Sequence, residues 1–477
     1  MTSADPAAVE LRLREAPPVR LAAEALGDFE AWVVGGAVRA AALGREVTDL
    51  DLAVAGAEED AARALAAAAG GHAFPLSDDF GTWRVVDRER APIADVTLVR
   101  GGSIDADLGA RDFTVGAVAV PLNGGGVLDP LSGLADLDAR RLRCASDSAF
   151  SDDPLRLLRA ARLGAELGLE PDEATVRLAR AAAGRAAEPA GERQFAELRR
   201  LVTGPDPLRG LELIDELGIG AGVLPELEAL RGLEQGPNHH LDVHGHTIEV
   251  LRRLLEVEND LERYAGDRAK DARELLDEPL SDELTRGGAL RLGAIVHDTG
   301  KAATREQRGE FVTFIGHDRE GARIVAALCL RLRTSRRLRR HLQALTLHHL
   351  DLGFMVHERP LGGRRVHDYL RATEPVAADV TLLTIADRLA ARGEGPVASG
   401  EIVEAHLELA REMLGAALDW RRSGPPAPLL RGDELGDELG LEGPEVGRAL
   451  RELEAAQYAG EVSTREQALD HARRATG

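Results

Sequence analysis

The hydrophobic pattern of the chain changes its period near residue 150, and this change limits the folds that are open to it. Before that point, apolar or alternating segments indicate strands: AWVV at 31–34, DLDLAV at 49–54, TWRVVD at 82–87 and FTVGAVAV at 113–120. After Asp152, apolar residues recur at helical spacing and strand-like segments almost vanish. The sequence therefore predicts a head of mixed strands and helices followed by helical domains.

Length, charge and cysteine content restrict the class of protein. A chain of 477 residues is too long for one hydrophobic core and predicts several domains. The formal net charge of −22 disfavours a general nucleic-acid binder, although local arginine clusters can override the total. Cys144 and Cys329 match no disulfide or metal spacing. The N-terminus does not have the pattern of a signal peptide, and the apolar segment 62–71 is too short to span a membrane. We therefore expect a cytoplasmic protein without membrane contact.

Interruptions of the helical pattern indicate where domains meet. The segment GPDPLRG at 204–210 breaks the helices, and the proline-rich RRSGPPAPLL at 421–430 is typical of a linker. The charged segment 257–287 predicts an inserted helix pair or a mobile loop. We predict a head at 1–140, a helical neck at 141–230, a histidine-rich helical domain at 231–420 and a helical tail at 421–477.

Asp49 and Asp51 place two negative charges inside an apolar segment. Alternate residues of a strand share a face, so the two carboxylates point the same way and repel each other unless a cation lies between them. Mg²⁺ suits such a pair because it prefers oxygen ligands and keeps water and substrate phosphates as its other ligands. Asp95, on another predicted strand, supplies a third carboxylate, and three carboxylates on adjacent strands can hold two metal ions.

A glycine pair precedes these carboxylates and predicts a phosphate site. Gly35 and Gly36 permit close approach of the backbone, and the helix that follows offers free N–H groups to a triphosphate. Arg39 on that helix adds a charged donor. A bare D-x-D pair is most often a solvated strand end, but the glycine turn, Arg39 and the later carboxylate together favour a catalytic metal site.

The segment VVGGAVRAAALGREVTDLDLAV at 33–54 resembles the nucleotidyltransferase signature of the class II tRNA nucleotidyltransferases (CCA-adding enzymes) and bacterial poly(A) polymerases. The tail is similar to the C-terminal segment of the same family. Further segments resemble the family's motifs in the family's order: ARDFTVGAVAV at 110–120, LDPLSGLADL at 128–137, DDPLRLLRAARL at 152–163 and GERQFAELRRLV at 191–202.

The resemblance implies a role for individual residues of the head and neck. Asp49, Asp51 and Asp95 match the catalytic carboxylates, of which Asp49 and Asp51 bind Mg²⁺. Arg111 and Asp112 match residues that contact the triphosphate and the ribose. The implied nucleotide-binding residues are Gly35, Gly36, Arg39, Arg111, Asp112, Asp153, Arg156 and Arg159.

Asp153 and Arg156 match the pair that reads the incoming base. Cytosine and adenine both present an amine donor beside a ring-nitrogen acceptor, so a carboxylate and a guanidinium together select these two bases. The spacing of the pair puts both residues on one helix face. Taken from spacing alone, an ordinary ion pair within the helix is the alternative.

Several positions depart from the family's pattern. Ala40, Ala110 and Gly116 stand where the family usually has Asp, Arg and Asn. The link RGGSIDADLGA at 100–110 is shorter than the flexible loop of full CCA-adding members and resembles relatives of single specificity. We therefore expect the chemistry to survive and leave open whether this chain adds CC, A or CCA.

Histidines and aspartates of the helical domain at 231–420 predict a second site. HHLDVHGHTIEV, AIVHDTGKA, IGHDREGA, LTLHHLDLG and TIADRLAA follow one another along the chain and resemble the HD-domain metal-dependent phosphohydrolases. The other histidines of the first segment, His239, His240 and His244, we leave as bystanders. The implied ligands are His246, His297, Asp298 and Asp387, with His317 and His349 or its neighbour His348 for a second metal.

These nitrogen and oxygen ligands suit Mg²⁺ or a divalent transition metal such as Mn, Fe, Ni or Co.

The resemblances together imply an α+β fold, with a polymerase-beta-like mixed sheet and helices in the head and all-helical neck, HD and tail domains. The leading interpretation is an enzyme that adds CMP and/or AMP from CTP or ATP to the 3′ end of tRNA and carries an HD phosphohydrolase domain. The alternatives are an HD phosphohydrolase with a decayed nucleotide- or RNA-binding head, supported by Ala40, Ala110 and Gly116, and a poly(A) polymerase.

Overall fold

The computed structural model describes residues 5–77, 81–309, 311–395 and 399–476. It contains two compact units, Met1–Val223 and Leu224–Gly477. The ends of the predicted head and tail, residues 1–4 and 477, lie outside the described ranges, and the division into four domains remains a prediction. Within those ranges, no helix combines the length and the apolar character that a membrane span needs.

The first unit is built on a six-stranded mixed sheet, which confirms the α+β class expected for the N-terminal part. Its strands are β1 Ala31–Val34, β2 Leu50–Val54, β3 His72–Ser77, β4 Thr82–Val86, β5 Pro92–Leu98 and β6 Ala119–Pro121. Their order across the sheet is β3-β4-β5-β2-β1-β6. Strands β2 and β5 pair in parallel, whereas the other neighbours are antiparallel.

Helices surround this sheet and continue beyond it. A short parallel pair, β7 Arg141–Leu142 and β8 Glu170–Pro171, lies outside the main sheet. The helices of the first unit are α1 Pro6–Glu15, α2 Pro17–Ala25, α3 Gly35–Ala42, α4 Glu58–Ala69, α5 Ile104–Gly109, α6 Gly133–Asp138, α7 Ala149–Asp152, α8 Leu155–Leu167, α9 Glu173–Ala182, α10 Gly191–Thr203, α11 Pro207–Glu216 and α12 Gly220–Val223.

The strand predicted over FTVGAVAV is largely wrong, because Thr114–Gly116 forms a 3₁₀ turn and strand β6 begins only at Ala119. The hydroxyl of Thr114 donates to the buried carboxylate of Asp136 at 2.6 Å. The backbone of Gly133 also approaches this turn so closely that a Cβ there would lie 2.0 Å from the carbonyl oxygen of Thr114. These tertiary contacts override an apolar pattern that is typical of a strand.

Strand β3 was missed in the sequence. It lies at the edge of the sheet and contains Pro75, a residue that weakens the strand signal. An edge strand tolerates proline because one side of its backbone needs no partner.

In its described residues, the second unit is helical apart from loops and two small hairpins, and the charged segment 257–287 contains a helix pair rather than a bare loop. The hairpins are β9 Pro279–Ser281 with β10 Leu284–Thr285, and β11 Glu306–Arg308 with β12 Phe311–Thr313. The helices are α13 Pro225–Glu228, α14 Val243–Asn259, α15 Leu261–Ala265, α16 Ala269–Asp277, α17 Arg286–Val296, α18 Lys301–Thr304, α19 His317–Arg331, α20 Arg336–His348, α21 Asp351–Met355, α22 Gly363–Thr373, α23 Ala377–Ala390, α24 Gly400–Ser423, α25 Gly432–Leu439, α26 Pro444–Tyr458 and α27 Arg465–Thr476.

A buried ion pair joins two helices of this unit. Arg286, at the start of α17, binds the carboxylate of Asp379 on α23, and both side chains are almost fully buried. Nε2 of His341 on α20 lies 3.7 Å from the same carboxylate. Each of these three helices carries a predicted metal ligand at or near its other end.

Candidate active sites

Parallel pairing of β2 and β5 brings the three predicted carboxylates of the head together. Asp51 and Asp95 are direct partners in the register of the two strands, and Asp49 lies just before β2. All three line one cavity of about 610 Å³. The spacing of Asp49 and Asp51 predicted that these two lie close together, and the strand pairing adds Asp95 to them.

The glycine turn is shaped around Asp51. Gly35 has a φ of +65°, and a Cβ at this position would lie 2.7 Å from Oδ2 of Asp51. The N–H of Gly36 donates to the same oxygen at 3.0 Å. One of the helix N–H groups expected to be free for a phosphate is thus engaged by a carboxylate, which fixes Asp51 against the start of α3.

Arg39, Asp112 and Arg159 form a charged group beside the carboxylates. Arg39 and Arg159 line the cavity, and Nε of Arg159 lies 2.9 Å from Asp112. Burial lowers the pKa of Arg39, although Asp112 opposes this shift. Burial alone would raise the pKa of Asp112, but Arg159 and Arg39 hold it below its usual range, so this carboxylate is charged. At Gly116 a Cβ would lie 3.2 Å from Arg39 and 3.3 Å from Asp112, so the smaller residue leaves them room.

Asp95 has a partner that the sequence analysis did not identify. Arg84 on β4, its neighbour in the sheet register, donates two hydrogen bonds of 2.9 Å to the two oxygens of Asp95. Arg84 also lines the cavity. A bidentate pair of this kind fixes the orientation of the carboxylate and offsets part of its charge.

Arg111 is held by a buried residue of the short link. The link contains helix α5, and Asp107 on this helix accepts hydrogen bonds of 3.0 and 2.8 Å from Arg111. Asp107 is only 2% exposed. The guanidinium of Arg111 lies beside Gly35, although Arg111 is not among the described residues that line the cavity.

The predicted base-reading pair has separate partners. Asp153 binds Arg193 at 2.7 Å, and Arg156 donates to the carbonyl oxygen of Ala110 at 2.8 Å. The prediction that both residues share one helix face is wrong, because Asp153 has extended backbone and α8 begins only at Leu155. No ion pair joins Asp153 to Arg156 in the described chain, so the alternative of a simple intrahelical pair is not what the structure contains. Neither residue is among the described residues that line the cavity, nor are Gly35 and Asp112.

A strip of charge runs along α8 and α10, the two arginine-rich helices of the predicted neck. Arg162, Glu166 and Arg200 line the cavity, and Arg162 is buried against Glu197. The spacing of Arg159, Arg162 and Glu166 places them on one face of α8, and that spacing was visible in the sequence. These residues, with Arg45 near β2, make one side of the cavity strongly charged.

In the second unit, all six predicted HD ligands meet in one cluster, in which Asp387 is partly exposed and the other five are buried. One group of possible ligand atoms comes from His246, His297 and Asp387, and another comes from Asp298, His317 and His349. The neighbour His348 instead lies 2.8 Å from Asp351, so the geometry favours His349. Helices α14, α19 and α23 and the ends of α17 and α20 supply these residues.

The two carboxylate oxygens of Asp298 face different histidines. Oδ2 lies 3.3 Å from Nε2 of His297, and Oδ1 lies 3.4 Å from Nε2 of His317. Nε2 of His349 is 3.7 Å from Oδ1 as well. One carboxylate thus lies between two groups of ligand atoms, an arrangement that can bridge two metal ions.

The cluster has the chemistry of a metal site. Nε2 of His297 is buried and makes no hydrogen bond in the described part of the chain. Burial alone would raise the pKa of Asp387 and of Asp298, but hydrogen bonds and nearby positive groups lower both. Charged carboxylates beside an unsatisfied imidazole nitrogen are suited to a divalent cation.

Two further residues lie at this site. His239, set aside as a bystander, packs edge-on against His246 with ring centroids 4.7 Å apart, and burial with His246 lowers its pKa to about 3. Lys301 donates to Asp298 at 2.7 Å and to Gln235 at 2.8 Å. His239 and Lys301 both line a cavity of about 550 Å³ over the cluster, whereas His240 is exposed.

Comparison with known proteins decides the family. An A-adding tRNA nucleotidyltransferase of Deinococcus radiodurans is 37% identical over 454 residues, which cover 92% of this chain and 94% of that protein. A CC-adding tRNA nucleotidyltransferase of Thermus thermophilus is 35% identical over 456 residues, which cover 92% of each chain. The chain belongs to the tRNA nucleotidyltransferase family. This confirms the resemblance seen in the motifs and the prediction that the protein is a nucleotidyltransferase.

Domain families match the expected parts of a tRNA nucleotidyltransferase with an HD domain. The poly A polymerase head domain matches residues 31–143, the probable RNA- and SrmB-binding site of polymerase A matches 168–230, and the HD domain matches 243–392. The head and HD families are metal-dependent.

Solved structures of related enzymes share the fold. The Thermotoga maritima CCA-adding enzyme complexed with tRNA aligns with a TM-score of 0.62 at 19% identity and covers 99% of both chains. A CCA-adding enzyme in complex with ATP aligns with a TM-score of 0.64 at 20% identity and covers 96% of this chain and 95% of that one. At these identities the likeness supports the fold alone.

Proposed function

We propose that this tRNA nucleotidyltransferase adds CMP and/or AMP from CTP or ATP to the 3′ end of tRNA and releases pyrophosphate. The observation that carries the proposal is the meeting of Asp49, Asp51 and Asp95 in one arginine-lined cavity. The A-adding and CC-adding names of its relatives support these substrates. We also propose that the enzyme acts in the cytoplasm, as its tRNA-processing relatives suggest.

Asp49 and Asp51 would hold Mg²⁺, with Asp95 on the adjacent strand as the third carboxylate. Their oxygens face one cavity, and carboxylate oxygens are the ligands that Mg²⁺ prefers. When bound, the metal would lower the pKa of the attacking hydroxyl and offset charge on the leaving pyrophosphate. Arg84 keeps Asp95 in one orientation, while the N–H of Gly36 does the same for Asp51.

The remaining predicted residues would position the nucleotide. Arg39 and Arg159 lie in the cavity wall, where guanidinium groups suit phosphate oxygens. Arg111, Asp112 and the turn at Gly35 and Gly36 would contact the triphosphate and ribose. Asp153 and Arg156 would select cytosine and adenine after exchanging their present partners for the base.

The test is nucleotide incorporation with Mg²⁺, labelled CTP or ATP and tRNAs that end before each of the three positions of the CCA end. We expect incorporation into at least one of these tRNAs, and the accepted ends show which part of CCA the enzyme makes. Long adenosine tails on any RNA would instead indicate a poly(A) polymerase. A lack of incorporation with every tRNA and nucleotide would overturn the proposal and favour a decayed head.

The histidine cluster favours a second activity, a metal-dependent phosphohydrolase that acts on RNA or nucleotide phosphates. His246, His297, Asp298 and Asp387 would hold one Mg²⁺ or divalent transition metal ion, and His317 and His349 would complete a second site that shares Asp298. The metal would supply an activated water beside the phosphate. Release of phosphate from a 3′-phosphorylated RNA, or opening of a 2′,3′-cyclic end, tests this proposal, with each divalent metal supplied in turn. The absence of both reactions with every metal would reject it.

A further inference from the structure

The cavity over the histidine cluster has an apolar rim, formed by Phe314, Ile315 and Phe354. Ile315 and Phe354 line the cavity and are each 67% exposed, which is unusual for large apolar side chains. Phe314 lines the same cavity. Its volume of about 550 Å³ lies within the range of small-molecule sites.

The apolar rim concentrates a scarce residue type. The chain has nine phenylalanines among 477 residues. Three of them, Phe311, Phe314 and Phe354, lie on the two segments that border this cavity, and Phe311 is also 67% exposed. Phe113, Phe150 and Phe195 are buried in the core of the other unit. Exposed apolar side chains grouped at the mouth of a polar cavity indicate a binding surface.

The floor of the cavity has the opposite character. Asp298, His317 and His349 line it, and Lys301 brings one of the chain's two lysine ammonium groups to Asp298. The same ammonium lies 5.5 Å from the centroid of the Phe314 ring, so the polar floor and the apolar rim are adjacent. A ligand that satisfies both carries a phosphate at one end and a flat apolar group next to it.

We propose that the apolar rim is a base-binding subsite at which Phe354 stacks on the base of a nucleotide whose phosphate lies at the histidine cluster. The proposal rests on the phosphohydrolase activity proposed above. Stacking on an aromatic ring tolerates every base because each base has a π face. The subsite therefore distinguishes a nucleotide from a sugar phosphate rather than one base from another. The nucleotide is either free or the 3′-terminal residue of an RNA.

The test compares substrates that differ only in the base. The metal-loaded full chain is given adenosine 3′-phosphate and its abasic ribose analogue, and a 3′-phosphorylated RNA that ends in adenosine or in an abasic residue. The measured quantity is the ratio of kcat/KM for the substrate with a base to that for the abasic one. We expect Phe354→Ala to lower this ratio about tenfold and Phe354→Trp to preserve it. The pair of substrates for which the ratio falls identifies a free nucleotide or an RNA end.

Phe74→Ala is the matched control, because Phe74 is an exposed phenylalanine on β3 of the other unit. Equal ratios in the wild type and Phe354→Ala would overturn the base-binding subsite while leaving the phosphohydrolase activity standing. A change from oligomer to monomer in Phe354→Ala, with the ratio unchanged, would show that the rim contacts a second copy instead.

A binding measurement keeps the proposal falsifiable if no substrate is hydrolysed. Phe354→Trp places a fluorescent ring in the rim, and the wild type corrects for the three native tryptophans. Quenching by adenosine 3′-phosphate but not by its abasic analogue would support the subsite without the hydrolase. Equal fluorescence with and without adenosine 3′-phosphate, and with and without the 3′-phosphorylated RNA that ends in adenosine, would overturn the base-binding subsite.

Discussion

At the scale of single residues, the carboxylates of the head depend on neighbours that hold them in place. Asp51 accepts from the N–H of Gly36 and leaves no room for a side chain at Gly35. Asp95 is held by Arg84 from the adjacent strand. The orientation of these carboxylate oxygens is therefore set by contacts that lie outside the D-x-D pattern itself.

Gly35→Ala should lower nucleotide incorporation by more than about 100-fold, because the added methyl group would displace Asp51 and so misplace a reacting group. Gly102→Ala is the matched control, since Gly102 also has a positive φ, +75°, but has open space around it. Both variants strain the backbone, and only the first disturbs a carboxylate. Equal activities of the two variants in the incorporation assay would contradict this account of the turn.

Asp107→Asn should raise the KM for the nucleoside triphosphate about tenfold, since Arg111 loses the charge that orients it. The expected change in kcat is smaller, because Arg111 would contact the triphosphate rather than the reacting hydroxyl. Asp105→Asn, an exposed position on the same helix, controls for a general effect on α5. An unchanged KM in Asp107→Asn would show that Arg111 needs no anchor.

At the scale of elements, strand register and helix pairing bring distant residues together. The parallel register of β2 and β5 puts Asp51 opposite Asp95. In the second unit, Arg286 and Asp379 join α17 and α23, whose other ends lie at the predicted HD ligands. Two turns of α23 separate Asp379 from Asp387, so the ion pair fixes the helix that presents this ligand.

Asp379→Asn should lower the free energy of unfolding of the second unit by about 3 kcal/mol, because it leaves the buried guanidinium of Arg286 without its charge partner. Lys270→Met is the control and breaks a surface ion pair, in which the side chain of Lys270 is 86% exposed and that of Glu274 is 67% exposed. This change should hardly affect the free energy of unfolding. Urea unfolding of both variants measures the difference. Equal stability of Asp379→Asn and the wild type would contradict a stabilising role for the pair.

At the scale of the whole molecule, the two candidate sites lie in different compact units. Each has its own carboxylates, its own cationic residues and its own cavity. The head site offers carboxylate oxygens as candidate ligands, whereas the HD cluster also offers four imidazoles. The two sites should therefore respond differently to pH and to the metal supplied.

Metal content of the HD cluster should fall as the pH is lowered from about 8 to about 6, because imidazoles must be neutral to bind a metal. Burial alone would lower the pKa of His297, but Asp298 raises it above its ordinary value, so protons compete at this residue at a higher pH. Metal analysis after gel filtration at each pH measures the loss. If the metal content of the wild type stays constant down to about pH 5, and His297→Ala keeps the same metal content, the predicted histidines of the HD cluster do not bind the metal.

The sequence predicted only part of each candidate site. The period of two in DLDLAV predicted that Asp49 and Asp51 lie close together, and the resemblance to the HD phosphohydrolases implied a cluster that includes His297, Asp298 and Asp387. It could not show Arg84 as the partner of Asp95, because that contact is created by the register of two strands. Likewise, the sequence could not show that His239 lies at the site, because its contact with His246 depends on how the chain before α14 folds back.

The most direct test of the account measures nucleotide incorporation into tRNA and phosphate release from a 3′-phosphorylated RNA for the same set of variants. Asp49→Asn/Asp51→Asn should lose at least about 1,000-fold in incorporation and retain phosphate release, and His297→Ala should show the reverse. Asp60→Asn, an exposed carboxylate on α4, is the control. Incorporation that persists in Asp49→Asn/Asp51→Asn would contradict the central claim that these carboxylates form the nucleotidyltransferase site.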